Sequence, residues 1–110
     1  MDIKSWLEEG TGYKWKELRY LKTPPLPYNI FIDSVYVRGA DRFNNVAEHT
    51  LSLEHYSDTV DEEGEKVIED FLNLEELTYT KEREWLDEEE MFITVYSLDT
   101  FLEKIRKEGN

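Results

Sequence analysis

The sequence lacks cysteine, which excludes disulfide bonds, thiolate metal sites and cysteine nucleophiles. It has no apolar run near the ~20 residues that a membrane-spanning helix needs, and its first residues lack the apolar core of a signal peptide. Its few glycines are scattered and form no glycine-rich phosphate loop. We therefore expect no membrane contact, no nucleotide cofactor and no thiol chemistry.

Histidine is scarce, and the two histidines are badly placed for metal binding. His49 and His55 share one predicted strand at a separation of roughly 20 Å, so we interpret them as half-buried strand residues. The acidic run Asp87–Glu90 lacks the alternate spacing and the glycine of a calcium loop. No serine lies in a G-x-S-x-G elbow. The sequence thus predicts no catalytic residue, no metal site and no cofactor.

Basic residues are fewer than acidic ones, and the excess of acidic residues is uneven along the chain. The net charge is −13, of which residues 1–56 carry −1 and residues 57–110 carry −12. Such a field repels phosphate, so we expect no sequence-specific binding of nucleic acid. The acidic surface could be a solvated face, a site for a basic protein, or a surface that DNA slides past without binding. Its candidate residues are Asp61, Glu62, Glu63, Asp87, Glu88, Glu89 and Glu90.

The apolar residues that are present predict one α+β domain spanning residues 1–110. We expect a mostly antiparallel sheet of four or five strands, with two main helices on one face and a short C-terminal helix. The segment 99–110 is interpreted as a helical extension. In order, the pattern indicates a helix over Asp2–Glu9, a short exposed strand within Tyr13–Tyr20, strands over Tyr28–Val37 and Asn45–Tyr56, a helix over Asp58–Leu72, strands over Leu77–Trp85 and Met91–Leu98, and a helix capped by Asp99.

The segment after the prolines is the most informative. Pro24, Pro25 and Pro27 force an extended connector, after which Tyr28–Val37 is apolar on both faces. A strand of this kind is typical of the centre of a sheet, where both faces are covered. Its partner, Asn45–Tyr56, is apolar on one face and polar on the other. The two segments together predict a long β-hairpin.

This predicted sheet carries more apolar surface than two helices can cover. An exposed apolar patch usually marks an interaction surface, so we expect the chain to associate with further copies or with a partner. The hairpin tip adds two arginines and an aromatic residue, in a loop position that often carries binding. The candidate interface residues are Phe31, Val35, Val37, Arg38, Arg42 and Phe43.

Three features of the chain carry a resemblance to a known family. The first is the helix Ile3–Glu8, which leads into a glycine and a short aromatic strand. The second is the proline-led strand Leu26–Phe31, with Gly39–Asp41 at its far turn. The third is the strand Leu51–Tyr56, then an acidic helix, then the closing strand Met91–Tyr96. In this arrangement the chain resembles the small siphophage and prophage neck proteins that act as tail completion proteins (tail terminator or head–tail joining proteins).

The resemblance implies a structural role without catalysis. Proteins of that family form rings, often hexameric, at the top of a phage tail. There they cap the tail tube or join it to the head connector, and viral DNA passes through the ring. For this chain the resemblance implies a homo-oligomer in the virion, assembled in the host cytoplasm, with tail-tube or head-connector proteins as partners. It suggests no role for the C-terminal segment.

Two other functions are open. The charge alone would suit an acidic soluble inhibitor that imitates DNA or sequesters a basic protein partner. Such a protein would be a monomer or dimer, and high salt would weaken its binding. A small enzyme would need a pocket with displaced carboxylate pKa values, and no motif announces one.

Overall fold

The computed structural model describes residues 2–39 and 44–106, and for Arg38, Asn44, Asn45 and residues 102–106 it describes the backbone alone. Two helices and six strands follow one another along the chain. They are α1 (Ile3–Thr11), β1 (Trp15–Glu17), β2 (Tyr28–Gly39), β3 (Asn44–Ser57), α2 (Glu62–Leu74), β4 (Tyr79–Leu86), β5 (Met91–Leu98) and β6 (Phe101–Arg106). The α+β class is confirmed.

The strands form one sheet in the order β1-β2-β3-β5-β4, and β6 also pairs with β3. Only β1 and β2 run parallel, so the sheet is mostly antiparallel, as predicted. The outer edge of β3 is divided between two partners. Its segment Ser52–Ser57 pairs with β5, and its segment Asn44–His49 pairs with β6.

Helix α1 is defined by local signals at both ends. The Asp2 carboxylate accepts hydrogen bonds from the backbone N–H of Ser5, at 3.3 Å, and from its hydroxyl, at 2.8 Å. Such an N-cap satisfies a free N–H in the first turn. Gly12 ends the helix at φ +76°, a conformation that glycine adopts without strain. Ile3 and Leu7 are buried on one stripe, so the predicted helix and its cap are confirmed.

Helix α2 begins at Glu62, four residues later than the start of the predicted span. Its cap is Asp61, whose carboxylate accepts a hydrogen bond from the backbone N–H of Gly64 at 3.0 Å. The acidic first turn suits the positive end of the helix dipole. Ile68 and Leu72 are fully buried, so the predicted apolar stripe is confirmed.

Both helices pack on the same face of the sheet, and the core lies between them and the strands. The register places odd-numbered residues of β2 and β3 on this face, together with even-numbered residues of β5. The opposite face carries half-buried side chains, among them Ile32, Tyr56, Ile93 and Val95. The buried core comprises Ile3, Leu7, Trp15, Phe31, Leu51, Leu53, Ile68, Phe71, Leu72, Tyr96 and Leu98.

Two predictions for the first strands are wrong in part. The predicted short strand near Tyr13–Tyr20 exists, but its Trp15 is buried and not exposed. The buried indole N–H donates to Thr11 Oγ1 at 2.9 Å. Strand β2 is covered on both faces only near its start. Beyond the three-residue β1, no described strand pairs with its outer edge, and Val35, Tyr36 and Val37 are 48%, 63% and 54% exposed.

The predicted C-terminal helix is also wrong, since residues Phe101–Arg106 form strand β6. Without β6, the segment Asn44–His49 of β3 would have an unpaired edge. Pairing with that edge satisfies backbone groups of residues 101–106 that an isolated short helix would leave exposed. The ring of Phe101 stacks on His49 with centroids 5.0 Å apart. The backbone N–H of Asp99 donates to the carbonyl of Thr78 at 2.9 Å and does not begin a helix. Residues 107–110 lie outside the described residues.

Candidate interaction site

The far half of the β2–β3 hairpin is the first part of the site, and we call it the hairpin arm (Ser34–Gly39 with Asn44–Thr50). The pairing of β2 with β3 continues to Gly39 opposite Asn45, so the arm is regular sheet throughout. Val35 and Val37 lie on the helix side and Tyr36 on the other, and all three are exposed. The arm therefore offers apolar surface on both faces.

A buried polar contact fixes the base of the arm. Nδ1 of His49 lies 3.1 Å from both carboxylate oxygens of Asp33, and both side chains are buried. The His49 ring is also stacked on Phe101 of β6. A buried carboxylate needs such a partner, because an unpaired charge there would be costly. The contact joins three strands, so it holds the arm to the rest of the sheet.

The arm and its neighbour β6 carry three basic residues and two acidic ones, Glu48 and Glu103. By register, Arg38 is opposite Val46, which in turn is opposite Lys104 on the other side. Arg106 is opposite Asn44 at the last rung of the same pair. Three basic residues therefore occupy the final rungs of the three-stranded arm region. The predicted interface residues Arg42 and Phe43 lie outside the described residues.

The predicted acidic surface lies at the other end of the sheet, and we call it the acidic end (residues 58–63 and 87–90). The first segment joins β3 to α2, and the second is the turn between β4 and β5. The first segment follows Ser57 and the second comes just before Met91. Because Ser57 pairs with Phe92, the two segments lie at the same end of the sheet. All of these residues except Asp61 are exposed. The fold thus brings together the two acidic groups that are separate in the sequence.

The two ends are chemically unlike and far apart. The molecule extends 52 × 30 × 22 Å. By register, the arm is one end of the β2–β3 hairpin, and Tyr28 with Tyr56, beside the acidic end, is the other. One end carries the exposed valines of the arm and three basic register positions. The other end carries the exposed carboxylates of the acidic end. A head-to-tail contact between successive copies joins two different surfaces, and these two ends are such surfaces.

A buried histidine links the sheet to helix α2 at the acidic end. Nδ1 of His55 lies 2.6 Å from Oδ1 of Asn29, and Nε2 lies 2.9 Å from Oδ2 of Asp61. His55 and Asn29 are buried, whereas the Asp61 side chain is partly exposed. Asp61 therefore caps α2 with one oxygen and contacts His55 with the other, which holds the start of the helix against the sheet.

A pocket of about 340 Å³ opens beside this histidine, and we call it the tyrosine pocket. Three tyrosines from separate parts of the chain line it: Tyr13 after α1, Tyr20 after β1 and Tyr28 at the start of β2. The rings of Tyr20 and Tyr28 meet edge to face with centroids 5.6 Å apart. The remaining lining residues are Lys14, Pro24, Pro27, Asn29 and His55.

A cluster of charged side chains lies between α2 and the sheet, where it joins the two. The Glu65 carboxylate is buried and accepts hydrogen bonds from Arg83 and from the hydroxyl of Thr94, the latter at 2.7 Å. Nζ of Lys81 lies 3.0 Å from Glu65 and 2.8 Å from Glu69. Every charge in the group is paired, so it attaches the edge strand β4 to the helix.

This group controls the protonation of Glu65. Burial alone would raise the pKa of the carboxyl, but the hydrogen bonds from Arg83, Thr94 and Lys81 outweigh it and lower the pKa to about 2. Sequence reasoning missed this group. Its signal was present, since Lys81 and Arg83 alternate on one strand face and Glu65 and Glu69 are one helical turn apart.

The predicted interface residues are only partly at the surface. Phe31 is 3% exposed in the core, so it is not available for contact in the isolated chain. Val35 and Val37 are exposed on the arm, where a contact surface was predicted. Arg38 has its register position on the arm. The tyrosine pocket was not predicted, because its tyrosines follow no spacing that sequence analysis could detect.

Within residues 2–39 and 44–106, no group of three or more histidine, aspartate or glutamate side chains is arranged to hold a metal ion. In the same part of the chain, neither helix has the length and apolar character that crossing a membrane requires. No protein-family model matches this chain, and no curated protein matches it either.

Proposed function

We propose that this protein is a structural subunit of a phage or prophage neck, a tail terminator or head–tail joining protein that acts by forming a ring. One observation carries the proposal: a hairpin arm with exposed apolar residues and a carboxylate-rich acidic end lie at opposite ends of the β2–β3 hairpin. The resemblance of the sequence to tail completion proteins supplies the biological setting. The protein works through protein–protein contacts and performs no catalysis.

Charge and apolar surface both favour contact between copies in one direction. Exposed Val35 and Val37 are apolar, and an apolar patch gains free energy when a neighbour covers it. The arm and β6 hold three basic and two acidic residues, whereas the acidic end holds carboxylates and no bases, so successive copies are weakly complementary in charge. A contact between unlike surfaces repeats around a rotation axis, and it forms a ring when the rotation between copies closes.

The acidic end also suits a channel that DNA crosses. Carboxylates along a lumen repel the phosphate backbone, so the DNA slides past without binding. In this arrangement Asp87–Glu90 and the start of α2 face the ring axis or its rim. An electron microscopy reconstruction that places both segments on the outer wall of the ring would contradict this part of the proposal.

The partners follow from the same setting. The ring contacts tail-tube proteins or head-connector proteins in the virion, and it assembles in the host cytoplasm. The half-buried face with Ile32, Tyr56, Ile93 and Val95 remains available for such contacts. A gene neighbourhood that contains portal, connector and major tail protein genes would support this role.

The test is a charge reversal on the arm. The double variant Arg38→Glu and Arg42→Glu replaces both arginines predicted for the hairpin tip with carboxylates, so like charges should weaken assembly. The matched control is Lys4→Glu with Lys22→Glu, which makes the same change in net charge at exposed positions outside the arm. Light scattering across a range of concentrations measures the mass, and electron microscopy shows whether rings form. Unchanged mass in the arm variant would contradict the proposed contact.

One observation favours a second function. Residues 57–110 carry a charge of −12, to which the carboxylates of the acidic end contribute, and this charge suits an inhibitor that binds a basic protein such as a nuclease. An inhibitor would stay a monomer or dimer, and added salt would release its partner. Concentration-dependent rings would favour the structural role.

A further inference from the structure

Strand β2 has an unpaired edge along the hairpin arm, and we call it the β2 edge (Asp33–Gly39). The short strand β1 pairs with β2 only at Asn29–Phe31. Within residues 2–39 and 44–106, no strand pairs with the β2 edge on the side away from β3. A row of unpaired backbone N–H and C=O groups is a template on which a further strand can pair.

The contact with β1 identifies which backbone groups of the edge are free. The N–H of Leu18 donates to the carbonyl of Phe31 at 2.9 Å, so Phe31 directs its backbone groups away from β3. Every second residue of a strand directs these groups to the same side. The odd-numbered residues of the β2 edge therefore offer their N–H and C=O groups to a further strand: Asp33, Val35, Val37 and Gly39.

The side chains of the β2 edge favour pairing, whereas those of the other edge strand oppose it. Strand β4 carries alternating charges at Lys81–Glu84, and charged side chains on an edge strand discourage the addition of another chain. The middle of the β2 edge consists of Val35, Tyr36 and Val37, which are all exposed. Residues that are β-branched or aromatic stabilise a sheet through cross-strand pairs.

We propose that two copies of this chain pair antiparallel through their β2 edges, across a two-fold axis at Tyr36. Odd-numbered residues have to face odd-numbered residues, because only these have free backbone groups. The alignment that pairs the whole edge sets Val35 opposite Val37 of the other copy, and Tyr36 opposite itself. The inference goes beyond the proposed function, because this contact joins equal surfaces, whereas a ring joins unlike ones.

The side chains agree with this register. Val35 and Val37 lie on the helix side of the sheet, so each valine covers a valine of the other copy. The two Tyr36 residues are neighbours on the opposite side, as an aromatic pair. Arg38 has its register position opposite Ser34, and Asp33 has its position opposite Gly39. No two like charges are therefore set opposite each other.

The distribution of charge selects a second copy and the place where it binds. The chain carries −13 in total, of which residues 1–56 carry only −1. A contact between copies through residues 57–110 would bring like charges together. In the antiparallel pair the two acidic ends point in opposite directions, because each lies at the Tyr28 end of its own hairpin. The largest charges are then as far apart as the two molecules allow.

A disulfide bond tests the register, because the sequence contains no other cysteine. Tyr36 opposite itself is a non-hydrogen-bonded pair, whose Cα atoms are about 4.5 Å apart. A disulfide spans roughly 4.4–6.8 Å between Cα atoms, so Tyr36→Cys should form a covalent dimer on mild oxidation. Val35→Cys should crosslink much less, because Val35 faces Val37 and not itself. The matched control is Thr80→Cys, at an exposed position of β4, which should remain monomeric.

A second set of variants tests the backbone contact. Val35→Pro removes an N–H that points outward, so it should block the added strand without breaking the pairing of β2 with β3. The dissociation constant of the dimer, measured by analytical ultracentrifugation, should rise about 10-fold or more. Val35→Thr keeps the N–H and the branched shape and is the matched control. Val37→Lys adds a charge to the edge and should also weaken the dimer, and circular dichroism shows whether each variant folds.

The outcomes distinguish this inference from the proposed function. Equal crosslinking of Tyr36→Cys and Thr80→Cys, stronger crosslinking of Val35→Cys, or equal dimerisation of Val35→Pro and Val35→Thr would overturn the edge contact. Because the dimer and the ring cover the same valines, the oxidised Tyr36→Cys dimer should form rings only after reduction. Rings built from the oxidised dimer would leave the edge contact standing and contradict the arm contact of the ring.

Discussion

Gly10 of α1 lies so close to Phe71 of α2 that a Cβ atom at position 10 would fall 2.0 Å from Cε1 of the ring. The ring cannot move aside easily, because it is buried and meets Trp6 edge to face with centroids 4.8 Å apart. The absence of a side chain at Gly10 is therefore what lets the two helices approach on the sheet.

The substitution Gly10→Ala should destabilise the protein. Alanine raises helix propensity by about 1 kcal/mol, but the clash with Phe71 should cost more, since overpacking a core costs about 1–3 kcal/mol. Urea unfolding monitored by tryptophan fluorescence measures the net change. Glu9→Ala, at an exposed neighbouring position of α1, reports propensity without the clash. A more stable Gly10→Ala variant would show that the helices separate without cost.

Thr11→Val should destabilise the protein although the side chain keeps its shape. The Thr11 hydroxyl accepts the indole N–H of Trp15 at 2.9 Å and donates to the carbonyl of Leu7 at 2.7 Å. Valine leaves the buried indole N–H without its acceptor, which should cost about 1–3 kcal/mol of unfolding free energy. Thr80→Val, at an exposed position of β4, is the matched control and should be near neutral. Equal effects of the two substitutions would refute this role of Thr11.

Glu65 should make the protein sensitive to acid. Its pKa is about 2 in the folded protein and 4.5 ordinarily, so the folded state binds the proton less tightly than the unfolded chain. The contribution to stability is therefore complete above pH 4.5 and is lost as the pH falls toward 2. By linkage it amounts to on the order of 3 kcal/mol. Urea unfolding at a series of pH values measures it.

The variant Glu65→Gln tests whether this group causes the acid sensitivity. Glutamine cannot ionise, so the difference in unfolding free energy between the two proteins should be largest above pH 5 and shrink as the pH falls. Glu82→Gln, which removes an exposed carboxylate from the same edge strand β4, is the matched control. A difference that is independent of pH would show that the paired charge does not matter.

A chain that ends at Asp99 lacks β6, so its hairpin arm should be less stable. The segment Asn44–His49 then has an unpaired outer edge, and His49 loses its stacked neighbour Phe101. We expect a loss on the order of 3 kcal/mol and faster hydrogen exchange at the amides of Asn44–His49. A chain that ends at Arg106 keeps the strand and serves as control. Unchanged exchange in the shorter chain would mean that β6 does not pair in solution.

The elements that the sequence predicted well are those with local signals. Asp2 and Gly12 mark the two ends of α1 by capping and by a positive φ, and both act within a few residues. The apolar alternation of β3 predicts its buried face because a strand shows one face at every second residue. In both cases nothing distant in the chain is needed to decide the structure.

The elements that it predicted poorly depend on distant residues. Phe101, Leu102 and Ile105 fit a helical stripe, and six residues are too few to distinguish that period from a strand. The free edge of β3, more than fifty residues earlier, decides for β6. The exposure of Val35 likewise depends on the short length of β1.

The candidate site could be predicted only as a list of charges. Composition identified the acidic segments at 61–63 and 87–90, but their meeting at one end of the sheet requires the strand order. The tyrosine pocket collects Tyr13, Tyr20 and Tyr28 from three elements with no fixed spacing. Only the tertiary fold gives these rings a common space.

Strand β3 runs without interruption from the arm to His55, with β2 along one side and β6 and β5 along the other. A strand that is paired on both sides resists bending, so the arm is rigid and not flexible. If neighbouring copies join through it, the direction in which the arm leaves the body sets the rotation between them. The number of subunits in a closed ring would then be encoded in the geometry of a single strand.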